Sequence, residues 1–160
     1  EDTHSEQLFG AADYINALDS ICSLARHSLL VFEKDFSNTG FDSGDRAEIL
    51  RNFLLANPFN RLQLLAHDTR PLSQYYPRLM TLLRQFGHNM FIYQTPKHLK
   101  HLTEAFAIAD EAHFVRRFHF DGARGVLAHN DSSNARLLKA NFMEMWNVSS
   151  PNLHTSTFHL

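Results

Sequence analysis

Three short polar clusters contain the residues of this sequence that are best placed to do chemistry. Each cluster follows a run of apolar residues: Glu33-Lys34-Asp35, His67-Asp68-Thr69-Arg70 and Gln94-Thr95-Pro96-Lys97. If the apolar runs are parallel strands, their carboxyl ends meet at one edge of a sheet, where open α/β proteins bind ligands. Lys34, Arg70 and Lys97 would then suit an anionic group. The alternative is that these loops are polar only because they are solvated.

A second group of polar residues lies further along the chain, between positions 110 and 131. This group is rich in arginine and histidine, which can bind phosphate. Its members are Asp110, Arg116, Arg117, His119, Arg124, His129, Asn130 and Asp131. Neighbouring residues of a strand point to opposite faces, so at most one of Arg116 and Arg117 can serve such a site. His129 and Asn130 end a predicted strand, which would hold them rigidly. The alternative is an exposed edge strand protected by its charges.

The eleven histidines do not form a recognisable metal-binding motif. His98 and His101 are three residues apart and would share a helix face, but no third ligand stands nearby at suitable spacing. His67 and His129 are far apart in the sequence, although they could still meet in space. The sequence also contains no glycine-rich phosphate loop and no Gly-x-Ser-x-Gly elbow. We therefore expect neither a metal nor a cofactor.

Composition limits the class of protein. The chain has 160 residues, of which 44% are hydrophobic, so it can form one domain with a sizeable core. Fifteen Lys and Arg against seventeen Asp and Glu exclude a strongly basic nucleic-acid binder as a property of the whole domain, while leaving a local basic patch open. The single cysteine, Cys22, excludes an internal disulfide and multi-cysteine metal sites. No apolar run approaches the roughly 20 residues of a membrane-spanning helix.

The elements that must position the polar clusters alternate between helices and strands up to Tyr93. Apolar spacing predicts a helix from Leu8 to Ala25 that carries Cys22 in the core, a second helix that Ser43 or Asp45 caps and Pro58 closes, and a third over residues 72–86. Short apolar runs predict strands over residues 29–32, 62–66 and 90–93, and a polar loop is expected over residues 36–45. This alternation indicates a parallel sheet with right-handed crossovers.

The pattern changes after Tyr93. Three closely spaced strands are predicted over residues 104–109, 113–118 and 124–128, with a turn at Asp121-Gly122, which indicates an antiparallel meander. Asp131 caps a final helix that runs to Trp146. The predicted fold class is α/β, with a mixed sheet of parallel βαβ units followed by an antiparallel meander and with helices on both faces. Residues 1–147 form a single domain, and residues 148–160 form a polar tail.

This layout resembles one half of a phospholipase D superfamily protein, from about Ala11 to Trp146. The motif of that superfamily is His-x-Lys-(x)4-Asp, in which the histidine attacks phosphorus and the lysine holds phosphate oxygens. A match of Asp110 to the motif aspartate places Thr103 at the histidine and Ala105 at the lysine, and Asn130 falls near a trailing asparagine. The resemblance therefore implies a degenerate half domain without the phosphodiesterase chemistry. It is similar to small bacterial proteins of this type, which implies a cytoplasmic location.

The leading hypothesis is a non-catalytic domain that binds an anionic, phosphate-bearing ligand or a protein partner. The residues expected to bind the ligand are Asp110, Arg117, His129 and Asn130, with Arg70 as an outside contributor. One alternative is a phosphodiesterase or nuclease in which His67, His119 or His129 acts as a general base. Another is a homodimeric interaction module, since two halves face each other in the superfamily. Nucleic acid is not favoured as a partner, because no basic stripe is interleaved with aromatic residues.

Overall fold

A computed structural model describes residues 2–151 of the chain. The elements in this part, in chain order, are seven strands and five α-helices: β1 (His4–Phe9), α1 (Ala11–Leu24), β2 (Ser28–Glu33), α2 (Gly44–Ala56), β3 (Arg61–Ala66), α3 (Arg70–Tyr75), α4 (Pro77–Gln85), β4 (Met90–Gln94), β5 (Ala105–Ala109), β6 (His113–Arg117), β7 (Arg124–His129) and α5 (Ser132–Trp146). A single 3-10 turn, Lys97–Leu99, follows β4.

All seven strands belong to one mixed sheet with the order β1-β7-β6-β5-β2-β3-β4. Strands β2, β3 and β4 are parallel, and β2 pairs on its other side with β5, which runs antiparallel to it. Strands β5, β6 and β7 form the antiparallel meander, with a turn at Phe120 and Asp121. The predicted α/β class and the change from parallel units to a meander are therefore confirmed.

Helices cover both faces of the sheet, as expected. Helices α1, α2 and α4 pack on one face, and α5 packs on the other. The alternation within β5 assigns these faces, because the methyl groups of Ala105, Ala107 and Ala109 lie towards α1 whereas Phe106 and Ile108 lie towards α5. Small residues under α1 let that helix approach the sheet closely. Within residues 2–151, no helix is both long and apolar enough to cross a bilayer.

The beginning of the chain differs from the prediction. Residues His4–Phe9 form an edge strand that pairs antiparallel with β7, and Leu8 belongs to this strand rather than to the first helix. The strand was missed because only Leu8 among its residues is buried, which leaves no alternating pattern to read. Helix α1 begins after Gly10, whose φ of 94° is a conformation that suits glycine. The predicted core position of Cys22 is confirmed, and burial raises the pKa of its thiol to about 12.

The third predicted helix is two helices in the structure. Helix α3 ends at Tyr75, and α4 begins at Pro77. Proline has no backbone N–H and disfavours helical geometry in the residue before it, so Tyr76 leaves the helix with φ −120° and ψ 64°. The apolar spacing continues through the break, and for that reason it predicted one element.

The remaining boundaries agree closely with expectation. Ser43 caps α2 by accepting a hydrogen bond from the backbone N–H of Arg46 at 3.1 Å, and Asp131 caps α5 through the N–H of Asn134 at 3.2 Å. Of the predicted tail, Ser150 forms a bridge with Gln94, with N···O distances of 2.7 and 3.1 Å. Residues 152–160 lie outside the described part of the chain.

We expect Gly125→Ala to lower the free energy of unfolding by about 2 kcal/mol, because overpacking forces the backbone to shift. A Cβ atom at Gly125 would lie far inside van der Waals contact of the Arg116 carbonyl oxygen on β6. Urea denaturation followed by circular dichroism measures the change. Gly44→Ala is the control, since its Cβ would meet only the Arg78 side chain at 3.6 Å. Equal effects of the two substitutions would contradict this account of the β6–β7 pairing.

Candidate functional site

A crevice lies at the carboxyl ends of β2, β3 and β4, where the three polar clusters were expected to meet. It encloses about 680 Å³. We call it the polar crevice and define it by its lining residues: Lys34, His67, Asp68, Arg70, Gln94, Lys100, Thr103, His119, Phe120 and Asp121. Each of the three clusters contributes at least one side chain. Lys97 does not line it, and Lys100 is the third cation instead.

The three cations of the polar crevice have different environments. Lys34 is exposed, and no group within residues 2–151 accepts a hydrogen bond from its ammonium. Arg70 is held by Asp68, which accepts from Nε and from Nη2, each at 3.0 Å. The hydrogen bond from Arg70 holds the pKa of the Asp68 carboxyl below its usual value. The Lys34 ammonium and the outer N–H groups of Arg70 are therefore the donors best placed for an anion.

The floor of the polar crevice is a partly buried hydrogen-bond network around His67. The Lys100 ammonium donates to the carbonyl oxygen of His67, to the carbonyl of Thr95 at 3.0 Å and to its hydroxyl at 3.2 Å. His67 Nε2 lies 2.7 Å from the Leu102 carbonyl, which can only accept, and Nδ1 lies 2.6 Å from the Thr95 hydroxyl. Burial lowers the pKa of His67, so the ring is neutral at pH 7 with its proton on Nε2. Both ring nitrogens are thus occupied.

The opposite wall is the turn between β6 and β7. The backbone N–H of Phe120 donates to the Thr103 carbonyl at 2.8 Å, which ties this turn to the segment before β5. The Phe120 ring packs edge-on against His67, with ring centroids 5.6 Å apart. His119 Nδ1 accepts from the N–H of Asp121 at 3.1 Å, which leaves Nε2 as the donor of a neutral imidazole. The exposed His119 is therefore the histidine of this crevice with an available ring nitrogen.

A buried carboxyl lies on the α1 face at the same end of the sheet. Glu33 accepts a hydrogen bond from the Tyr14 hydroxyl, and both side chains are buried. Burial raises the pKa of Glu33 to about 8, against the opposing effects of the Tyr14 hydrogen bond and the Arg117 charge. The Arg117 guanidinium lies 5.3 Å from the centroid of the Tyr14 ring and donates from Nε to the Gly122 carbonyl at 2.8 Å. Arg117 thus holds the turn that forms the crevice wall.

Asp110 lies at the end of the strands opposite to the polar crevice, because β5 runs antiparallel to β2. Its Oδ1 accepts from the backbone N–H groups of Arg26, His27 and Ser28 at 3.1, 2.8 and 3.0 Å, and its Oδ2 accepts from Arg26 at 2.9 Å. These bonds close the connection between α1 and β2. The carboxylate that carried the resemblance therefore has a structural role in this position.

His129 and Asn130 lie at the same edge as Asp110, beside the N-terminal strand. The His129 ring stacks on that of His4, with centroids 5.9 Å apart, and the ring of His113 lies tilted against it at 5.8 Å. The Asn130 carbonyl accepts from the Thr3 hydroxyl at 2.8 Å. Of the five residues predicted to bind a ligand, only Arg70 lines the polar crevice, Arg117 supports its wall, and the other three are separated from it by the length of the strands.

Among residues 2–151, no group of three or more His, Cys, Asp or Glu could hold a metal ion.

Thr103 and Ala105 lie at the beginning of β5, on the crevice side of the sheet. Thr103 lines the polar crevice, whereas Ala105 is fully buried and pairs with Arg117 of β6. The prediction missed Lys100, because the residue equivalent to Lys34 and Arg70 by strand position is Lys97. The 3-10 turn at residues 97–99 places Lys100 next to the strand ends. The Asp121-Gly122 turn signal was visible in the sequence, but its position over the crevice was not.

Solved structures with this architecture include members of the phospholipase D family. Nuc from Salmonella typhimurium superposes with a TM-score of 0.63 at 10% identity, over 92% of this chain and 97% of that one. NucT from Helicobacter pylori gives 0.61 at 14% identity, over 94% and 99%. The archaeal chromatin protein TrmBL2, which binds DNA, superposes with a TM-score of 0.68 at 12% identity over 92% of this chain. This chain spans only 53% of the length of TrmBL2. The protein therefore has the fold of a phospholipase D-like half domain.

A family model for a domain of unknown function, DUF7931, matches residues 10–158. The chain belongs to that family. A comparison with curated proteins gives no match.

We expect Asp110→Asn to lower the free energy of unfolding by about 1–2 kcal/mol, because the bonds from three backbone N–H groups lose their charged acceptor. Asparagine tolerates the φ of 58° at this position, so backbone strain does not contribute. Thermal unfolding measures the effect, with the exposed Asp121→Asn as the control. Loss of phosphate binding by a folded Asp110→Asn protein would contradict the structural role and restore Asp110 as a ligand-binding residue.

The raised pKa of Glu33 predicts a pH dependence of stability. The folded chain keeps a proton on Glu33 up to about pH 8, whereas the unfolded chain releases it near the ordinary value of 4.5. The free energy of unfolding should therefore fall as pH rises between about 5 and 8. Glu33→Gln removes this slope and stabilises the protein by on the order of 2 kcal/mol at pH 8. Urea titrations at several pH values test it against the exposed Glu48→Gln, and an unchanged slope in Glu33→Gln would show that another group is responsible.

Proposed function

We propose that this domain binds a phosphate-bearing anion in the polar crevice and that it does so without a histidine–lysine catalytic pair. The observation that carries the proposal is the convergence of Lys34 and Arg70 on one crevice, with the Lys34 ammonium unpaired among the described residues. Charge-assisted hydrogen bonds from such donors are the usual way in which proteins hold phosphate oxygens.

The charge of the polar crevice supports an anion. Its lining contains three cations, Lys34, Arg70 and Lys100, and two carboxylates, Asp68 and Asp121. Asp68 binds the inner N–H groups of Arg70, so it orients the guanidinium and leaves other donors for a ligand. The ammonium of Lys100 donates to three protein acceptors, so it contributes charge rather than a free donor. The directional contacts to phosphate are therefore assigned to Lys34 and Arg70.

Binding without hydrolysis is proposed because of the residues at the beginning of β5. The resemblance to the phospholipase D superfamily places Thr103 where the attacking histidine would be and Ala105 where the phosphate-binding lysine would be. A methyl group cannot bind phosphate, and a threonine needs an adjacent base to act as a nucleophile. The nearby His67 has both ring nitrogens occupied within the crevice floor. These features favour a site that holds its ligand without cleaving it.

A relocated histidine site is the second candidate, and His119 is the residue that favours it. In the tautomer with the proton on Nε2, this nitrogen is a proton donor on the rim of the crevice. In the other tautomer the proton is on Nδ1, and Nε2 is then available as a base. His129 lies at the opposite edge of the sheet and His67 is occupied, so neither shares this position. A homodimer and a protein partner remain predictions from the resemblance.

Substitution of Lys34 tests the binding site. We expect Lys34→Ala to weaken the binding of phenyl phosphate by about tenfold, because one charge-assisted hydrogen bond is lost. NMR titration of the 15N-labelled chain at low salt measures the affinity and shows which amides respond. Lys97→Ala is the matched control, since Lys97 is also an exposed lysine after a parallel strand but does not line the crevice. If both substitutions weaken phenyl phosphate binding equally, the effect comes from the general surface charge, and the proposed site is rejected.

The same protein samples distinguish the alternatives. Hydrolysis is measured with bis-p-nitrophenyl phosphate. Turnover that is lost in His119→Ala would show that the domain is a phosphodiesterase and would reject a purely binding function. A single-stranded oligonucleotide is included because one structural neighbour binds DNA. Binding of the oligonucleotide that depends on Lys34, without binding of phenyl phosphate, would identify nucleic acid as the ligand and correct the sequence-based expectation.

A further inference from the structure

A second space lies directly behind one wall of the polar crevice, on the α5 face of the sheet. It encloses about 650 Å³, and we call it the apolar cleft. Its apolar lining comes from β2, β5, the segment after β4, and the end of α5: Phe32, Leu99, Leu102, Phe106, Met145 and Val148. Val148 is 52% exposed and Phe118, at the rim, is 51% exposed. Large apolar side chains left open to solvent around a concave space are typical of a binding site.

The apolar cleft and the polar crevice share a thin wall. Phe32 lines the cleft, and its ring packs against two rings that line the crevice, those of His67 and Phe120, with centroid distances of 5.0 and 5.9 Å. The two spaces are therefore one aromatic layer apart. Thr103 lines both of them and is the residue that the two linings have in common.

The charges around the two spaces differ, and this difference sets the orientation of a bound ligand. The apolar cleft has two carboxylates at its rim, Glu104 and Glu144. Glu104 is paired with Arg116, while Glu144 is exposed on α5 and forms no ion pair among residues 2–151. The basic side chains of the cleft are the histidines His98 and His101, and its lining contains no lysine or arginine. Lys34 and Arg70 line the crevice, so the crevice offers the stronger cations to an anion. The phosphate therefore belongs in the crevice, and an uncharged group belongs in the cleft.

We infer that the ligand is a phosphate ester with an apolar organic substituent, which holds its phosphate in the polar crevice and its substituent in the apolar cleft. This inference rests on the proposed function and adds the chemical class of the ligand. Aromatic substituents suit the cleft best, because the half-exposed Phe118 lies at its rim and the buried Phe32 and Phe106 line its inner part. Thr103 is the position over which the ester linkage passes.

The test uses the full chain and a series of phosphates with increasing apolar area: inorganic phosphate, methyl phosphate and 1-naphthyl phosphate. We expect 1-naphthyl phosphate to bind at least about tenfold more tightly than methyl phosphate, because burial of its rings removes apolar surface from water. Val148→Asp should remove this advantage and leave the affinity for methyl phosphate unchanged. Leu137→Asp is the matched control, since Leu137 is an exposed residue of α5 that does not line the cleft. Circular dichroism confirms that both variants fold.

The outcomes separate this inference from the proposed function. Equal affinities for methyl and 1-naphthyl phosphate would overturn the inference and leave phosphate binding in place. Binding of 1-naphthol as tight as that of 1-naphthyl phosphate would also overturn it, because the two spaces would then act on separate molecules. Failure of every phosphate to bind would reject the proposed function itself. Loss of the tenfold advantage in Val148→Asp, with its retention in Leu137→Asp, would support the joined site.

Discussion

The antiparallel pairing of β5 with β2 is the constraint on which the rest of this structure depends. Strands β2, β3 and β4 run in one direction, and β5 enters beside them in the other, with Phe32 opposite Phe106 and Leu29 opposite Ala109. The beginning of β5 therefore lies at the same edge as the ends of the parallel strands. That reversal brings Lys100 and Thr103 into the same crevice as Lys34 and Arg70.

The same pairing assigns the two faces of the sheet through the side chains of β5. Alanines on one face admit α1, while Phe106 and Ile108 on the other pack under α5. It also separates the polar residues of the chain into two groups by function. At one end Asp110 accepts hydrogen bonds from backbone N–H groups, and at the other Lys34 and Arg70 line the crevice that we propose as the ligand site.

Most elements of the fold could be predicted from local patterns, because each pattern reflects burial on a known period. The runs before Lys34 and Asp68 are fully buried strands, and the stripe from Ala135 to Trp146 is a helix face. Two predictions were wrong where the pattern and the backbone disagree. Pro77 interrupts a helix whose apolar spacing continues, and β1 carries one buried residue, so its strand pairing leaves little trace in the side chains.

For the candidate site, the sequence by itself determined that polar clusters follow the parallel strands and that Lys34 and Arg70 belong at one edge. The match of Ala105 to the phosphate-binding lysine of the motif came from the resemblance, and it stays a prediction. Only the tertiary structure decided that Asp110, His129 and Asn130 lie at the far edge, that Lys100 replaces Lys97, and that the β6–β7 turn closes the crevice. The physical reason is that strand order and direction depend on long-range pairing, which short-range spacing does not encode.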